Sequence, residues 1–412
     1  MRGRETAVTE PSRTPVRRQG KAVTASLVSG LLLTVGTAML AGTTAYGSTL
    51  SPGASAPSAG QPPREGTVRS VDLPSPPTGT ASTHLRQEHV SHFSLIGVTW
   101  DDATDLVDGR VRVRARNTDS GQWTAWTDLS SEHGEDSGTT RRRGGTEPVW
   151  VGDSDGVEVG VDGGTAGSLP TGMRLDLVGP AQEPSAGALA AGRAPLAARS
   201  AASLTTTTVA QPDITPRSGW EADESLREQT EPNYSPQAPK VVFVHHTATT
   251  SNYSCTESPA IIRSMYAYHV TGQGWRDLGY NFIVDRCGTI FEGRYGGIDR
   301  GVVGAQTYGF NTGSTGVTVI GTYTDEQPSQ EARRAVAHLA AWKLGLAGTS
   351  PTGTAQLVEG AADSAGFVKG RSYTFQTISG HRDGYATECP GQAFYDKLPE
   401  IRTWAAELTN GS

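Results

Sequence analysis

Two tracts, 48–88 and 181–210, consist mainly of Ser, Pro, Gly, Thr and Ala. Each is too poor in apolar residues to form a core. They constrain the fold more than any other feature, because they divide a 412-residue chain into pieces that must each bury a core of their own. Both are expected to be linkers, the first of them disordered. At ~150 residues per domain the length allows roughly two or three domains. With 35% hydrophobic residues, 51 glycines and 24 prolines, the composition favours linkers and β-rich modules over one large core. The net charge of −7 supplies no basic footprint for nucleic acid or for an anionic membrane.

Ahead of the first tract, residues 1–47 read as a signal peptide. Arg2, Arg4, Arg13, Arg17, Arg18 and Lys21 form a basic start, and an apolar stretch runs from Ala22 to Ala41. Small residues follow, with Thr43-Thr44-Ala45 or Ala45-Tyr46-Gly47 as cleavage-like ends. An uncleaved anchor is the alternative, since the stretch is nearly long enough to span a bilayer. With cleavage, contact with a membrane is only transient, and the rest of the chain is expected to be secreted or cell-wall associated.

Between the linkers, 89–180 shows period-two alternation in short runs, among them Phe93 to Trp100, Val111 to Arg116, Trp123 to Leu129, Val157 to Val161 and Met173 to Val178. Short strands with Gly and Asp turns between them predict a small all-β, sandwich-like module. Trp100, Trp123 and Trp126 are expected to fill its core, a carbohydrate platform being the alternative. Arg141-Arg142-Arg143 reads as a solvated loop tip.

The last segment, 211–412, alternates strand and helix signals and predicts an α/β domain, a mixed central sheet flanked by helices. Val241 to Val244 and Val317 to Ile320 read as buried strands. Tyr280 to Val284 and Thr289 to Phe291 read as a hairpin about Arg286-Cys287-Gly288. One helix starts at Ser258-Pro259, a second near Ser329, and a third covers roughly Leu398 to Leu408. Thr377-Ile378-Ser379 leads a strand into His381.

The chemistry concentrates where these strands end. His381 and Cys389 lie on one short polar loop closed by Pro390-Gly391. Neutral imidazole and thiolate both suit zinc, and a hydrolytic zinc site takes three protein ligands and one open position. A third donor is available at His245 or His246, at the end of the Val241 run. Neighbouring strand residues point to opposite faces, so only one of the two is expected at a metal, and spacing does not choose between them. The chain has three cysteines, Cys255, Cys287 and Cys389. An odd number in an exported protein leaves one over, and if Cys255 pairs with Cys287 it is Cys389.

Four blocks, in this order, resemble the peptidoglycan recognition protein family, the zinc N-acetylmuramoyl-L-alanine amidase fold that includes T7-type lysozyme. They are Val244-His245-His246-Thr247-Ala248, Gly274 through Phe282, Phe291-Glu292-Gly293-Arg294, and His381 through Gly391. Arg217 to Ala222 is similar to the family's amino-terminal segment. The resemblance covers about half of the chain. It implies that His245, His381 and Cys389 ligate one zinc ion, that Tyr280 and Thr387 assist catalysis, and that Cys255 and Cys287 form a disulfide. It also implies that His269, Gly274, Trp275, Arg294 and Asn311 line a substrate groove, where an arginine can fork to the extra carboxylate of a diaminopimelate-type stem. The activity implied is hydrolysis of the amide between N-acetylmuramic acid and L-alanine in peptidoglycan. Family members that only bind peptidoglycan typically lack the cysteine, and this chain keeps it. Thr349 to Lys369 departs from compact members as an insertion.

Overall fold

The computed structural model describes residues 66–76, 80–105, 107–132, 143–163, 169–179, 209–361 and 366–410. The expected signal peptide, and the expected second linker up to 208, lie outside them.

The amino-terminal module is built from β1 (Val68–Asp72), β2 (Ser82–Gln87), β3 (Phe93–Trp100), β4 (Gly109–Asn117), β5 (Thr127–Leu129), β6 (Ser131–Glu132), β7 (Gly144–Thr146), β8 (Val149–Gly163) and β9 (Arg174–Val178). Every pairing among them is antiparallel, in the order β1-β9-β3-β8-β4-β5, with β2 also on β8 and β7 bridging β3 and β6. The 15-residue β8 holds the halves together. Its start pairs with β3 (Leu95↔Trp150), and further along Val159 faces Leu85 of β2 and Val113 of β4. Alternate residues Ile96, Val98, Trp100, Val111, Val113, Val159, Val161 and Leu175 fill the core.

Three expectations need correction here. The module begins at β1, so Val68–Asp72 and Ser82–Gln87 are strands rather than linker. These strands escape notice because each pairs along one partner only and buries little beyond Val68, Val71 and Leu85. Of the three tryptophans only Trp100 is a core residue. Trp123 and Trp126 lie outside the core beneath guanidinium groups, Arg86 and Arg114 over Trp123, Arg112 and Arg114 over Trp126. Arg143 is no solvated tip, since its side chain donates to Asp101 Oδ1 (2.7 Å) and Thr99 Oγ1 (3.2 Å).

The second unit begins by Val209, which is buried against the helices. Its sheet comprises β10 (Ile214–Thr215), β11 (Val241–His246), β12 (Phe282–Val284), β13 (Ile290–Glu292), β14 (Ser314–Val319) and β17 (Ile378–Gly380). The order is β10-β13-β12-β14-β11-β17, parallel except for the β12–β13 hairpin. The mixed sheet flanked by helices is as expected. Helices α2 (Gln330–Leu346) and α4 (Leu398–Asn410) cover one face, packing Val336, Leu339, Ile401 and Ala405 against Val242, Val244, Val317 and Ile378. On the other face lies α1 (Ser258–Ala267), against Tyr280, Ile283 and Phe291. The same face carries the hairpin of β15 (Thr354–Val358) and β16 (Ser372–Gln376), whose Leu357 and Phe375 pack on Val241 and Phe243. The expected insertion, Thr349 to Lys369, thus contributes the first strand of this hairpin. A short α3 (Gln392–Tyr395) precedes α4. Among the described residues no helix is long and apolar enough to cross a membrane.

At the start of α1 the cap shifts upstream. Ser254 and Glu257 form a capping box around a 3₁₀ turn that runs straight into the helix. Ser258 instead donates its hydroxyl to Asp285 Oδ2 (3.0 Å). Cys255 in that turn is disulfide-bonded to Cys287 in the β12–β13 turn.

The two units share a joint. Past α1 the chain makes a π-helical turn, Tyr268–Gly272, that docks on the module. The Tyr268 hydroxyl lies 2.9 Å from Thr146 O and 3.3 Å from Val98 O, Arg174 Nη2 donates to Gly272 O (3.0 Å), and Arg143 N donates to Gln273 O (3.0 Å). Leu95, Trp150 and Val178 add an apolar patch against Ile261, Met265 and Tyr266. At Gly97 a Cβ would fall 2.2 Å from the Tyr268 ring. Gly97→Ala is therefore expected to destabilise the joint by about 1–3 kcal/mol, read as a lower urea midpoint and faster proteolysis between the units.

Glu147, next to Thr146, is buried, and burial pushes its carboxyl up to about 8. Between the ordinary carboxylate value and about 8 the folded protein holds a proton that the unfolded chain releases, so stability falls as pH rises through that window. Glu147→Gln is expected to flatten that slope in urea unfolding measured from pH 5 to pH 8.

Candidate metal centre

Two parallel strands create the site. β11 pairs with β17 so that Val244 faces Gly380, and each chain then continues by one residue into a histidine, His245 and His381. Their ring centroids are 4.4 Å apart. Alternation decides which histidine of the pair takes part. Val241, Phe243 and His245 share the face of α1 and the β15–β16 hairpin, whereas His246 turns to the other face and accepts from Tyr323 N (3.3 Å).

After His381 the chain makes a 3₁₀ turn held by Asp383, which accepts from Gly380 N (2.9 Å) and from the Tyr395 hydroxyl (2.6 Å). The loop closes where Arg382 N donates to Cys389 O (3.0 Å). Cys389–Pro390 is a cis peptide, and Gly391 follows at φ +87°, with a Cβ position only 2.3 Å from Tyr323 O, so only glycine fits. This return brings the Cys389 sulfur to 3.8 Å from His245 Nδ1 and 3.4 Å from the His246 backbone N–H that it accepts.

One donor atom each from His245, His381 and Cys389 lies within 4.8 Å of the others, and all three residues are buried. Burial holds His245 well below the ordinary histidine value, with neighbouring His381 and His246 adding to the effect, and lowers His381 to about 3. Both rings are therefore neutral at neutral pH, the state in which imidazole ligates a metal. Thr307 Oγ1 lies 3.5 Å from His245 Nε2, so the ring's other nitrogen has a partner that can fix its orientation. His381 Nδ1 is buried without a hydrogen-bond partner. An orphaned nitrogen of this kind, beside a thiol outside the disulfide, fits a bound cation.

The remaining expected site residues fall into distinct positions. Tyr280 is buried with its ring 5.3 Å from that of His245. Thr387 accepts from Cys389 N (3.2 Å) through its hydroxyl oxygen, leaving its O–H to donate toward the cleft that it lines. His269 is buried, stacked on Trp275 at 4.4 Å and accepting from Gly279 N (3.3 Å). Gly274 sits between them at φ +73°. Arg294 donates to Leu278 O (3.2 Å) and, like His269, is nearly enclosed. Asn311 is not on a groove surface at all. It is fully buried, and its carbonyl accepts from both Gln306 N and Thr307 N (2.9 Å each), the clamp that holds Thr307 beside His245. Glu292 points away from the metal donors, accepting from Arg217 N (3.3 Å), and Glu388 is exposed at the loop edge.

Two contributors were missed by the sequence reading. Thr307 has no motif around it. Tyr385, stacked on His381 at 5.5 Å, stands inside the most informative loop and was passed over.

Each unit matches a known family. Residues 51–190 match the family described as Rv3811 N-terminal galactose-binding domain-like, and residues 235–392 match N-acetylmuramoyl-L-alanine amidase. Peptidoglycan-recognition protein LE of Drosophila melanogaster is 32% identical over 191 residues, 46% of this chain and 46% of that protein. Human N-acetylmuramoyl-L-alanine amidase is 34% identical over 166 residues, 40% of this chain and 24% of the relative. Peptidoglycan-recognition protein SC2 of Drosophila simulans is 30% identical over 164 residues, 39% of this chain and 72% of the relative. The chain thus spans about half of the first and a quarter of the second. Among solved structures, that of peptidoglycan recognition protein LE with tracheal cytotoxin shows 30% identity and a TM-score of 0.36, covering 47% of this chain and 94% of that one. The chain belongs to the peptidoglycan recognition protein and N-acetylmuramoyl-L-alanine amidase family.

The clamp provides a test of the site's support. Asn311→Ala leaves two buried N–H groups without an acceptor, each costing about 1–3 kcal/mol. Urea unfolding is expected to show a loss of that order.

Proposed function

We propose that the chain is a zinc-dependent N-acetylmuramoyl-L-alanine amidase acting on bacterial peptidoglycan. The observation that carries this reading is the convergence of His245, His381 and Cys389 in one buried cluster, in a chain whose other two cysteines are bonded to each other. A peptidoglycan-binding protein without hydrolytic activity has no need for that thiol.

His245, His381 and Cys389 would hold the ion. When bound, zinc supplies Lewis-acid polarisation of the scissile carbonyl and lowers the pKa of water to about 7. Tyr280, beside His245, orients the attacking water or donates to the developing oxyanion. Thr387 has its acceptor side taken by Cys389 N and keeps a hydroxyl proton for the tetrahedral species. Arg294, nearly enclosed near His269, is proposed to meet the extra carboxylate of a diaminopimelate-type stem. Two solved relatives were determined with tracheal cytotoxin, a monomeric diaminopimelic acid-type peptidoglycan. We also propose that the basic, apolar start of the chain exports it to the cell wall or the medium.

Cys389→Ser tests the assignment. Loss of bound zinc by elemental analysis, together with loss of new alanine amino ends from digested wall, is expected, at least tenfold in each (~1.4 kcal/mol). Chelation of the native protein should abolish release and added zinc restore it. Retention of both zinc and activity in the variant would exclude this ligand set, and a native protein that binds wall without releasing amino ends would exclude the amidase reading.

A further inference from the structure

The metal cluster is enclosed, but the loop that carries Cys389 faces a cleft of about 730 Å³. That size lies within the range of small-molecule sites. One wall is the loop itself, with Tyr385, Thr387 and Glu388. The opposite wall belongs to the β-module, with Arg110, Asp128 and Ser131 among its lining residues. Tyr385 stacks on His381 and Thr387 holds the Cys389 amide, so the cleft abuts two of the three donors.

We propose that this cleft between the units is a glycan subsite, and that the β-module is a specificity-determining part of the active site. The inference rests on the reading of wall polymer as substrate. Its argument is chemical. Each wall carries charges of both signs that already face one another, Arg110 Nε 3.4 Å from Asp128 Oδ1 and Arg382 Nη2 3.6 Å from Glu388 Oε2. Such a surface presents no net field to select an anion or a cation, but it offers directed donors and acceptors, joined by the hydroxyls of Ser130, Ser131 and Thr387. A neutral ligand dense in hydroxyl and acetamido groups matches this pattern, and a stem peptide with several carboxylates does not.

A second observation extends the surface away from the metal. Arg112 is paired in register with Asp128, and its guanidinium lies over Trp126, 5.0 Å from the ring. Trp126 is 38% exposed, a large aromatic left at the surface directly beside the cleft residues. Arg114 and Trp123 continue the row along the same outward face of β4. An amphipathic ring with hydrogen-bonding groups on its flank accepts the apolar face of a pyranose while its hydroxyls are satisfied at the edge. A glycan strand would then run from the Trp126 row into the cleft, setting the muramic acid beside the metal donors.

The test uses the full chain and a neutral, peptide-free oligomer of β-1,4-linked N-acetylglucosamine, which shares the sugar backbone of the wall and carries no lactyl carboxylate, titrated by calorimetry. The native protein is expected to bind it, and Asp128→Ala and Trp126→Ala are each expected to weaken binding about tenfold. Both side chains are exposed, so the variants should keep the native melting temperature, and two independent substitutions guard against one local disturbance. Failure of the oligomer to bind, or binding unchanged in both variants, overturns the proposal. So does weakening confined to a sugar-free stem peptide, which would give the cleft to the peptide. Glycan affinity needs no turnover, so release of alanine amino ends by the native protein judges the amidase reading separately.

Discussion

The parallel pairing of β11 with β17 is the constraint on which the site depends. It sets Val244 against Gly380 and makes His245 and His381 neighbours across the sheet, although 136 residues separate them in the chain. Main-chain hydrogen bonds fix this register, so neither ring needs a flexible loop to reach the other. A one-residue slip would move His245 to the helical face and place His246 where the metal donors meet. A slip would also put Phe243 and His245 where Val242 and Val244 pack against α2 and α4, and the larger side chains would not fit that core. Core packing and site geometry are therefore one specification.

Placing two imidazoles and a thiol out of water carries a cost that the surroundings meet in part. His245 has Thr307 at Nε2, Thr307 is clamped by Asn311, and the Cys389 sulfur accepts an amide proton from His246. His381 Nδ1 has no such partner. An unmet buried nitrogen costs about 1–3 kcal/mol in a protein that makes no use of it. Ligation would supply the missing partner at His381, but His269 Nε2 is orphaned in the same way, so the convergence of three donors rather than the orphan alone marks the cluster.

The sheet, the principal helices and the clustering of His245, His381 and Cys389 were legible in the sequence because each has a local signature. Val241 to Val244 is a continuous apolar run, Ser329 is a side-chain cap, and the three cysteines are few enough to count. What was not legible depends on partners distant in the chain. β1 and β2 are polar in composition and become strands only by pairing with β9 and β8. Asn311 was read as a surface ligand from family resemblance, but the two amides it satisfies are four and five residues back in a loop whose path no periodicity reports. Trp126 was assigned to a core by its residue type, whereas the arginines alternating along β4 bring it to the surface.

The joint between the units explains why the module can take part in the site at all. Its apolar centre of Leu95, Trp150 and Val178 is flanked by hydrogen bonds to the main chain of the turn after α1, which fix orientation as well as contact. The joint is not uniformly satisfied, since both amide atoms of buried Gln273 lack partners where it meets Gly145. A tether through a linker alone would leave β4 and β5 free to move relative to the Cys389 loop, and a cleft shared by both could hold no fixed shape. Because α1 packs on the same sheet face as His245, anchoring the module to the end of α1 also anchors it to the metal donors. The amino-terminal unit is thus built as a wall of the cleft rather than as an appendage to it.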